Sequence, residues 1–349
     1  MRLLRQIAWG TGLAASAVAA LATPASAATT DLGTLPGGTQ SSANGINDTG
    51  KTVGWARLSA NATYATRWNA QGTISRLPNL QGGTGGQAFA VNDAGVVVGQ
   101  ANGSHGGEPV RWNTDGTVTD LGAPPGDKGG IARAVSDNGV VVGETYDATS
   151  GLTRAARWNP DGGKTTLPSL PGDRQAWAVG VNDSGVAVGV SLDANLHVRP
   201  VRWNPDGAVR QLPVLPGNSS GSANAVNDDG EIVGMSAVST SPMGPVHKTA
   251  VRWNPDGTVT ALPALGGDDG GEADAVNSLG VVVGRSTHGS VQPRAVRWST
   301  DGTVTYLGAP PGSSGVCAPA SVNASGTTVG ECSIDDPADA TLFHAVRWG

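Results

Sequence analysis

One sequence unit repeats seven times along almost the whole chain, and this periodicity constrains the fold more than any other feature. Each unit contains a turn close to Asn-Asp-x-Gly, a valine-rich run, and a segment whose fullest form is Ala-Val-Arg-Trp-Asn-Pro-Asp-Gly. The tryptophans of this segment lie 44 to 50 residues apart: Trp68, Trp112, Trp158, Trp203, Trp253, Trp298 and Trp348. A repeat of this length with about four strand signals is typical of a β-propeller blade, because β-solenoid coils are usually shorter.

Turn signals divide each unit into four predicted strands, A to D. In the second unit these strands are 88–91, 96–100, 109–112 and 117–121. The turns at 92–95 and 113–116 join A to B and C to D, and each ends in a glycine that suits the positive φ of a tight hairpin. With 53 glycines and 22 prolines among 349 residues, the chain has little capacity for long helices. We therefore expect an all-β, seven-bladed β-propeller of four-stranded blades.

The two ends of the repeat array fall at complementary points of the unit. Thr30-Asp31-Leu32-Gly33 matches strand D as seen in Thr119-Asp120-Leu121-Gly122, and Arg347-Trp348-Gly349 is the end of a strand C. The N-terminal strand can therefore complete the last blade, which would close the ring and remove its open sheet edges. An open β-repeat array is the alternative.

Residues 1–27 are predicted to form a signal peptide. Two arginines precede an apolar stretch at 13–21, and Ala25-Ser26-Ala27 has the small-x-small pattern of a cleavage site. The stretch is shorter than the roughly 20 residues of a membrane-spanning helix. We expect a secreted, extracellular domain over 28–349 with no transmembrane segment after cleavage. Without the two arginines it has 20 basic and 28 acidic residues, which argues against a nucleic-acid partner.

Cys317 and Cys332 are the only two cysteines. They flank the turn at 323–326 almost symmetrically, so they would face each other across a hairpin, and export would permit a disulfide between them. A metal or catalytic role would require further thiols or a histidine at ligand spacing in this segment. Free thiols are the remaining alternative. No metal site and no cofactor are predicted.

The repeated pattern resembles a known family. Ile46-Asn47-Asp48-x-Gly50 with Thr52-Val53-Gly54, alternating with segments such as His344-Ala345-Val346-Arg347-Trp348, is similar to the bacterial extracellular HAF repeat over essentially the whole of 28–349. The His-Ala-Phe tripeptide itself is replaced by forms such as Thr249-Ala250-Val251, and Phe343-His344-Ala345 is the nearest form to it. The resemblance implies an exported repeat protein without an established activity, and it implies no catalytic residues.

The Arg-Trp pair of each unit is predicted to be structural. A large aromatic residue at the same position in every unit suits packing between blades. The preceding arginine, from Arg67 to Arg347, faces the opposite side of the blade and needs acceptors there. No turn aspartate is present in all seven units, so a carboxylate cannot be the common partner of these arginines. We expect the guanidinium to bond to backbone carbonyls or to stack on an aromatic side chain of the adjacent blade.

Differences between the copies locate the predicted binding face. The A–B and C–D turns share one face of a propeller, and the B–C and D–A loops share the other, because successive strands are antiparallel. The turn face is nearly uniform here, whereas the B–C segments at 236–248 and 333–343 vary most in length and chemistry. Binding residues concentrate on variable loops over a rigid scaffold. We therefore expect a ligand site on the B–C/D–A loop face.

Strand A, the strand nearest the channel, carries the predicted ligand-binding residues. Aromatic side chains there coincide with amides, a guanidinium and a carboxylate in other units, a composition that suits a polar ligand such as a sugar. The predicted residues are Asn44, Phe89, Arg133, Trp177, Asn224 and Asp274. The alternative is that Phe89 and Trp177 fill gaps between blades. Trp55, Tyr64 and Tyr146 are further candidates for the rim.

Two other polar groups have competing interpretations. One is the acidic set Asp268, Asp269, Glu272, Asp274, Asp335, Asp336 and Asp339, which is either solvated surface or a site for calcium or a cationic ligand. The other is the set of histidines, one in each of five units: His105, His197, His247, His288 and His344. Residues dispersed in this way are more often solvated than joined in a metal site.

No enzyme motif stands out. The sequence contains no His-Glu-x-x-His. A polysaccharide hydrolase or lyase could still use carboxylates placed by the fold, such as Glu272 with Asp274, or Glu108. The predicted function is a monomeric, secreted binding or interaction module for a polysaccharide or an extracellular protein, with no assigned catalytic residue. A polysaccharide-active enzyme and a structural envelope or matrix component are the alternatives.

Overall fold

The computed structural model describes residues 28–59, 62–103, 106–238, 247–288, 292–334 and 342–349. In these ranges all regular elements are β-strands, which form seven four-stranded antiparallel sheets. The sheets are the blades of a seven-bladed β-propeller, as predicted. No helix in the described ranges is long and apolar enough to cross a membrane. The predicted signal peptide at 1–27 lies outside the described residues.

Blades 1 to 3 follow one another along the chain, and each has strands A to D in order from the channel outwards. Blade 1 contains β2 (Gln40–Ile46), β3 (Thr52–Ser59), β4 (Ala62–Trp68) and β5 (Ile74–Arg76). Blade 2 contains β6 (Gly86–Val91), β7 (Val97–Gly103), β8 (Gly106–Trp112) and β9 (Val118–Asp120). Blade 3 contains β10 (Asp127–Val135), β11 (Val141–Asp147), β12 (Thr153–Trp158) and β13 (Lys164–Leu167).

Blades 4 to 6 repeat this order, and blade 7 combines both ends of the chain. Blade 4 contains β14 (Gln175–Val181), β15 (Ala187–Leu192), β16 (Val198–Trp203) and β17 (Val209–Gln211). Blade 5 contains β18 (Ser220–Val226), β19 (Ile232–Val238), β20 (His247–Trp253) and β21 (Val259–Ala261). Blade 6 contains β22 (Gly270–Val276), β23 (Val282–Thr287), β24 (Arg294–Trp298) and β25 (Val304–Tyr306). Blade 7 contains β26 (Cys317–Val322), β27 (Thr328–Ser333), β28 (Phe343–Trp348) and β1 (Thr29–Gly33).

The first strand of the propeller completes its last blade. β1 pairs antiparallel with β28, with Thr29 opposite Trp348 and Thr30 opposite Arg347. The closure predicted from the two ends of the repeat array is therefore confirmed. Pairing β1 into this sheet joins the first and last parts of the described chain and covers the edge of β28.

The repeated tryptophans join neighbouring blades. All seven are at most 3% exposed. Each indole Nε1 donates to a backbone carbonyl of the preceding blade, as from Trp68 to Leu32 at 3.0 Å and from Trp253 to Pro213 at 2.6 Å. The same bond occurs for Trp112, Trp158, Trp203, Trp298 and Trp348. Each tryptophan thus buries its ring between blades and satisfies its only polar group there, as predicted.

The arginine before the tryptophan bonds to the next blade in four copies. In blades 3, 5, 6 and 7 its guanidinium donates to the carbonyl of the A–B turn glycine of the following blade. Arg157, for example, donates to Gly185 at 2.7 Å. The prediction of backbone carbonyl acceptors is confirmed for these four arginines.

The predicted disulfide between Cys317 and Cys332 is present. The two residues lie directly opposite each other on β26 and β27. A cross-link that closes a loop of 15 residues stabilises a fold by about 3 kcal/mol in the chain-entropy model. It therefore reinforces the blade in which the two ends of the propeller meet.

Candidate functional site: the central channel

A β-bulge interrupts strand A of every blade at the same position. In blade 2, Ala88 pairs with Gly99 and Ala90 with Val98, so Phe89 has no partner in the ladder. The other bulges have the same pattern. The residues at these positions, here called the bulge ring, are Asn44, Phe89, Arg133, Val179, Asn224, Asp274 and Ala320. A bulge redirects a side chain, and all seven residues line one cavity of about 230 Å³ within the channel.

Trp177 does not belong to the bulge ring. Val179 occupies the bulge of blade 4, and Trp177 lies two residues earlier on the same strand, opposite Val190. The sequence-based placement of Trp177 at the site of Asn44 is therefore wrong. Two residues along a strand place Trp177 about 7 Å nearer to the D–A loops. The five other predicted ligand-binding residues are all members of the bulge ring.

An apolar collar divides the channel between the bulge ring and the A–B turns. Its members are the residues immediately before the turn asparagines. Ile46, Val91, Val181, Val226, Val276 and Val322 border the bulge-ring cavity on one side and a second cavity of about 200 Å³ on the other. The second cavity, here called the A–B mouth, is lined otherwise by residues of the A–B turns.

Asparagines of the A–B turns connect the blades around this mouth. In six blades the side-chain Nδ2 donates to the backbone carbonyl at the equivalent position of the next blade. The bond from Asn323 to Asn47, at 3.1 Å, closes the circle. Blade 3 has Ser136 at this position. The turn pattern alone does not predict this role between blades, although the recurrence of asparagine in six of seven units was a signal for it.

Aspartates form an outer circle at the same mouth. The Asp93 carboxylate accepts a bond from the backbone N–H of Asp48 at 2.8 Å, and Asp137, Asp183, Asp228 and Asp48 accept equivalent bonds. Burial raises the pKa of Asp137, and the neighbouring carboxylates raise it further. In the described part of the chain, no group of three or more His, Cys, Asp or Glu residues is arranged to hold a metal ion.

A third cavity opens from the bulge ring toward the loop face, between blades 6, 7 and 1. This loop-side cavity has a volume of about 320 Å³ and is lined by Ser42, Asn44, Asp274, Arg285, Glu331 and residues 318–320. Arg285 donates from Nε and Nη2 to the two carboxylate oxygens of Asp274, at 3.1 and 3.0 Å. Its Nη2 also lies 3.3 Å from Glu272. The cavity thus combines acceptors, a cation, an amide and a hydroxyl.

The carboxyl groups of the loop-side cavity have raised pKa values. Burial raises the pKa of Asp274 to about 6, with a further increase from Glu272 and an opposing effect from Arg285. Burial also raises the pKa of Glu331, against the effects of a hydrogen bond from Ser42 and the charge of Arg285. Carboxyl groups whose pKa is raised in a cavity are candidates for proton transfer and for ligand binding.

Four other members of the bulge ring, Asn44, Phe89, Arg133 and Asn224, already contact protein groups. Arg133 forms two bonds of 2.8 Å to the Glu144 carboxylate, and its guanidinium lies 5.6 Å from the centre of the Phe89 ring. Asn224 donates to the carbonyl of Ala273 at 2.9 Å, and Asn44 donates to that of Ala88 at 2.8 Å. The ligand-binding role of these residues stays a prediction.

The acidic set divides between two places. Asp268 forms an ion pair of 2.6 Å with Arg294, and its side chain is only 5% exposed. Asp274 lines the channel, and Glu272 contacts Arg285 beside it at 3.3 Å. The positions of Asp335, Asp336 and Asp339 are outside the described residues. Asp268 therefore holds a loop to strand C of its own blade, whereas the channel acids belong to the candidate site.

The other candidate residues are dispersed. The guanidinium of Arg76 covers the Tyr64 ring at 3.9 Å. Trp55 lies opposite Ser42, and Tyr146 lies opposite Lys128, each on strand B. His197 pairs with Asp193 at 3.0 Å and His344 with Asp31 at 2.8 Å, in blades 4 and 7. His105 is outside the described residues.

Solved propellers of several enzymes are similar to this structure. A catalytically inactive virginiamycin B lyase from Staphylococcus aureus with quinupristin has a TM-score of 0.56 at 13% identity, covering 92% of this chain and 99% of that chain. A streptogramin B lyase has a TM-score of 0.54 at 14% identity, covering 92% of this chain and 97% of that chain. A puromycin hydrolase has a TM-score of 0.57 at 14% identity, covering 88% of this chain and 51% of that chain. These likenesses show the fold alone.

No family model matches the sequence, and no curated protein matches it. Membership of the HAF-repeat family therefore stays a prediction.

Proposed function

We propose that the protein is a secreted binding module that takes a hydroxyl-rich ligand, such as the end of a polysaccharide chain, into the loop-side cavity. The observation that carries this proposal is the set of polar groups around the cavity of about 320 Å³. Asp274 and Glu331 offer acceptor oxygens when ionised, and Arg285 offers donors only. Asn44 and Ser42 carry both donors and acceptors, and the Ser42 hydroxyl donates to the Asn44 Oδ1 at 3.1 Å. A sugar hydroxyl both donates and accepts, so it can satisfy this mixture.

The position of the cavity supports the same proposal. It opens toward the B–C/D–A loops, where the units differ most, and it rests on strands held by the rest of the ring. A rigid scaffold keeps polar groups in place before the ligand arrives, which reduces the entropy lost on binding. The bulge brings Asn44 and Asp274 to the cavity from two different blades.

A measurement of sugar binding with matched variants tests the proposal. We expect soluble oligosaccharides to raise the thermal stability of the purified protein in a saturable way. Asp274→Asn should weaken that binding, whereas Asp228→Asn at the A–B mouth makes the same chemical change and should leave it unchanged. Equal binding by both variants would place the site elsewhere. No binding by any oligosaccharide, with retention of an extracellular protein instead, would favour a protein partner.

Acid–base catalysis is a second candidate function for the same cavity. It is favoured by the pKa of Asp274, which is raised to about 6, because a carboxyl group that titrates near neutral pH can both donate and accept a proton. The lyases and the hydrolase similar in structure are enzymes by name, and a shared fold does not transfer an activity. Product formation from a bound polysaccharide, lost in Asp274→Asn and retained in Asp228→Asn, would establish this function.

A further inference from the structure

We propose that a cavity on the turn face of blade 1 binds a small oxyanion: a sulfate, phosphate or carboxylate group. This blade 1 cavity has a volume of about 350 Å³ and lies between the A–B turn and the C–D turn of that blade. Its polar lining comes from Thr49, Lys51, Arg67, Asn69, Thr73 and Ser75. It is separate from the channel and from the loop-side cavity.

Arg67 differs from the other arginines of the Arg-Trp pairs. Its side chain is exposed, whereas the equivalent arginines are buried or half-buried. In blades 3, 5, 6 and 7 this arginine donates to the A–B turn glycine of the next blade. Arg67 instead donates from Nε to the hydroxyl of Ser75 in its own blade, at 3.2 Å. Arg111 of blade 2 also donates within its own blade, to Asn113, but it is half-buried, whereas Arg67 is exposed and lines the blade 1 cavity.

Lys51 places a second cation at the blade 1 cavity. A Cβ atom built on Gly95 would lie 2.5 Å from the Lys51 Nζ, so the ammonium occupies the space beside the glycine of the next blade. Blades 2, 3, 4 and 6 have a valine at the position of Lys51: Val96, Val140, Val186 and Val281. Blade 1 thus has two cationic side chains where most blades have one.

The C–D turn of blade 1 lacks the usual carboxylate. In blade 2, Asp115 accepts bonds from the backbone N–H and the hydroxyl of Thr117, at 2.9 and 2.7 Å. The carboxylates of Asp256 and Asp301 likewise accept a bond from the backbone N–H of the threonine two residues later. Blade 1 has Gln71 at this position and Thr73 two residues later. The Thr73 hydroxyl therefore has no turn carboxylate to bind.

The blade 1 cavity is locally cationic, although the net charge of the whole chain is −6. This local positive charge favours an anion. Among the described residues, no carboxylate lines the blade 1 cavity. Arg347 of blade 7 donates to the carbonyls of Ala70 and Asn69 at 2.7 and 3.3 Å, which adds a third cation beside the same turn. Among the described residues, neither Lys51 nor Arg67 forms an ion pair with a carboxylate. An oxyanion would receive charged donors from these two side chains and a hydroxyl donor from Thr73, because the Thr49 hydroxyl already donates to Asn47 at 2.8 Å.

Equilibrium dialysis with labelled sulfate, labelled phosphate and labelled galacturonate tests the proposal, with chloride keeping the ionic strength constant. Neutral galactose is the control for the sugar ring. We expect saturable binding of at least one anion at one site per chain. Lys51→Val introduces the residue of four other blades, so the fold should tolerate it, and it should weaken binding by about tenfold or more.

Two further variants distinguish this site from general charge attraction. Gln71→Asp restores the turn carboxylate of blade 2, which should stabilise the turn through Thr73 and still weaken anion binding. Lys164→Val removes an exposed lysine of blade 3 and should leave binding unchanged. No saturable binding of any of the three anions would overturn the proposal. Equal binding by the wild type and Lys51→Val would also overturn it.

Discussion

The A–B mouth and the bulge ring lie three residues apart along the same seven repeats. The residue type is nearly constant at the mouth, whereas it varies at the bulge ring. At the mouth, six of seven blades have asparagine, and each side chain bonds to the backbone of the next blade. At the bulge ring the blades have six different residue types. A side chain that completes a circle of bonds must recur in each blade, whereas a bulge side chain directed into the channel is free to vary.

Removal of one turn asparagine should have the largest effect on stability. Asn277 donates to Asn323 at 2.8 Å and accepts from the N–H groups of Leu279 and Val281, and it is 4% exposed. Because Asn277→Ala leaves these buried partners without bonds, we expect a loss of about 2–3 kcal/mol in urea unfolding. Asn224→Ala in the bulge ring should cost about 1 kcal/mol or less. Equal losses would contradict the distinction between the two levels.

The next largest effect should be a difference between the bulge ring and the A–B mouth in how stability depends on pH. Asp274 has a pKa of about 6 in the folded state, above its ordinary value of 3.8, so the folded state binds the proton more tightly. Its contribution is therefore favourable at low pH and is lost as the pH rises from about 4 to 6. We expect the wild type to lose on the order of 1–2 kcal/mol over this range relative to Asp274→Asn. Urea unfolding at several pH values measures this difference.

Asp228→Asn at the A–B mouth provides the comparison for that profile. It should follow the wild type through the range in which Asp274 titrates. If Asp274→Asn and the wild type had parallel profiles between pH 4 and 6, the carboxyl of Asp274 would not be the buried acid of the channel.

The smallest expected effect is a gain. Ser136 is the one departure from asparagine at the mouth, and its Oγ accepts from the N–H of Val140 at 3.1 Å within its own turn. Ser136→Asn should retain that bond, as Asn92 does with Val96, and add one to the carbonyl of Asn182. We expect stabilisation by about 0.5–1 kcal/mol, seen as a higher urea midpoint. A lower midpoint would show that an asparagine at position 136 cannot form the bond to the next blade.

Much of the scaffold could be predicted from the sequence. The repeat period, the turn glycines and the strand D signal at 30–33 are local patterns, and they led to the blade count, the strand order and the closure by β1. The disulfide followed from the positions of Cys317 and Cys332 around one turn. These predictions needed only strand alternation and antiparallel pairing, which are properties of short segments.

The candidate site was predictable only in part. Five of the six predicted residues do line the channel, because position relative to the turn is a local property. Trp177 was misplaced by two residues, and the pairs Arg133–Glu144 and Asp274–Arg285 were not foreseen. Both pairs are separated by 11 residues, so this shared spacing was a usable signal. The bulge shifts which side chains face each other across strands A and B, and simple alternation does not include it.

The sequence by itself determined the seven blades, their four strands and the ring that joins them, because these features depend on patterns repeated within each unit of 44 to 50 residues. Only the tertiary structure decided which unlike side chains meet. Ser42, Asp274, Arg285 and Glu331 come from blades 1, 6 and 7, and they share one cavity because ring closure brings the first blade beside the last. The physical reason is that contacts between different copies depend on how the blades pack and close, and no single repeat contains that information.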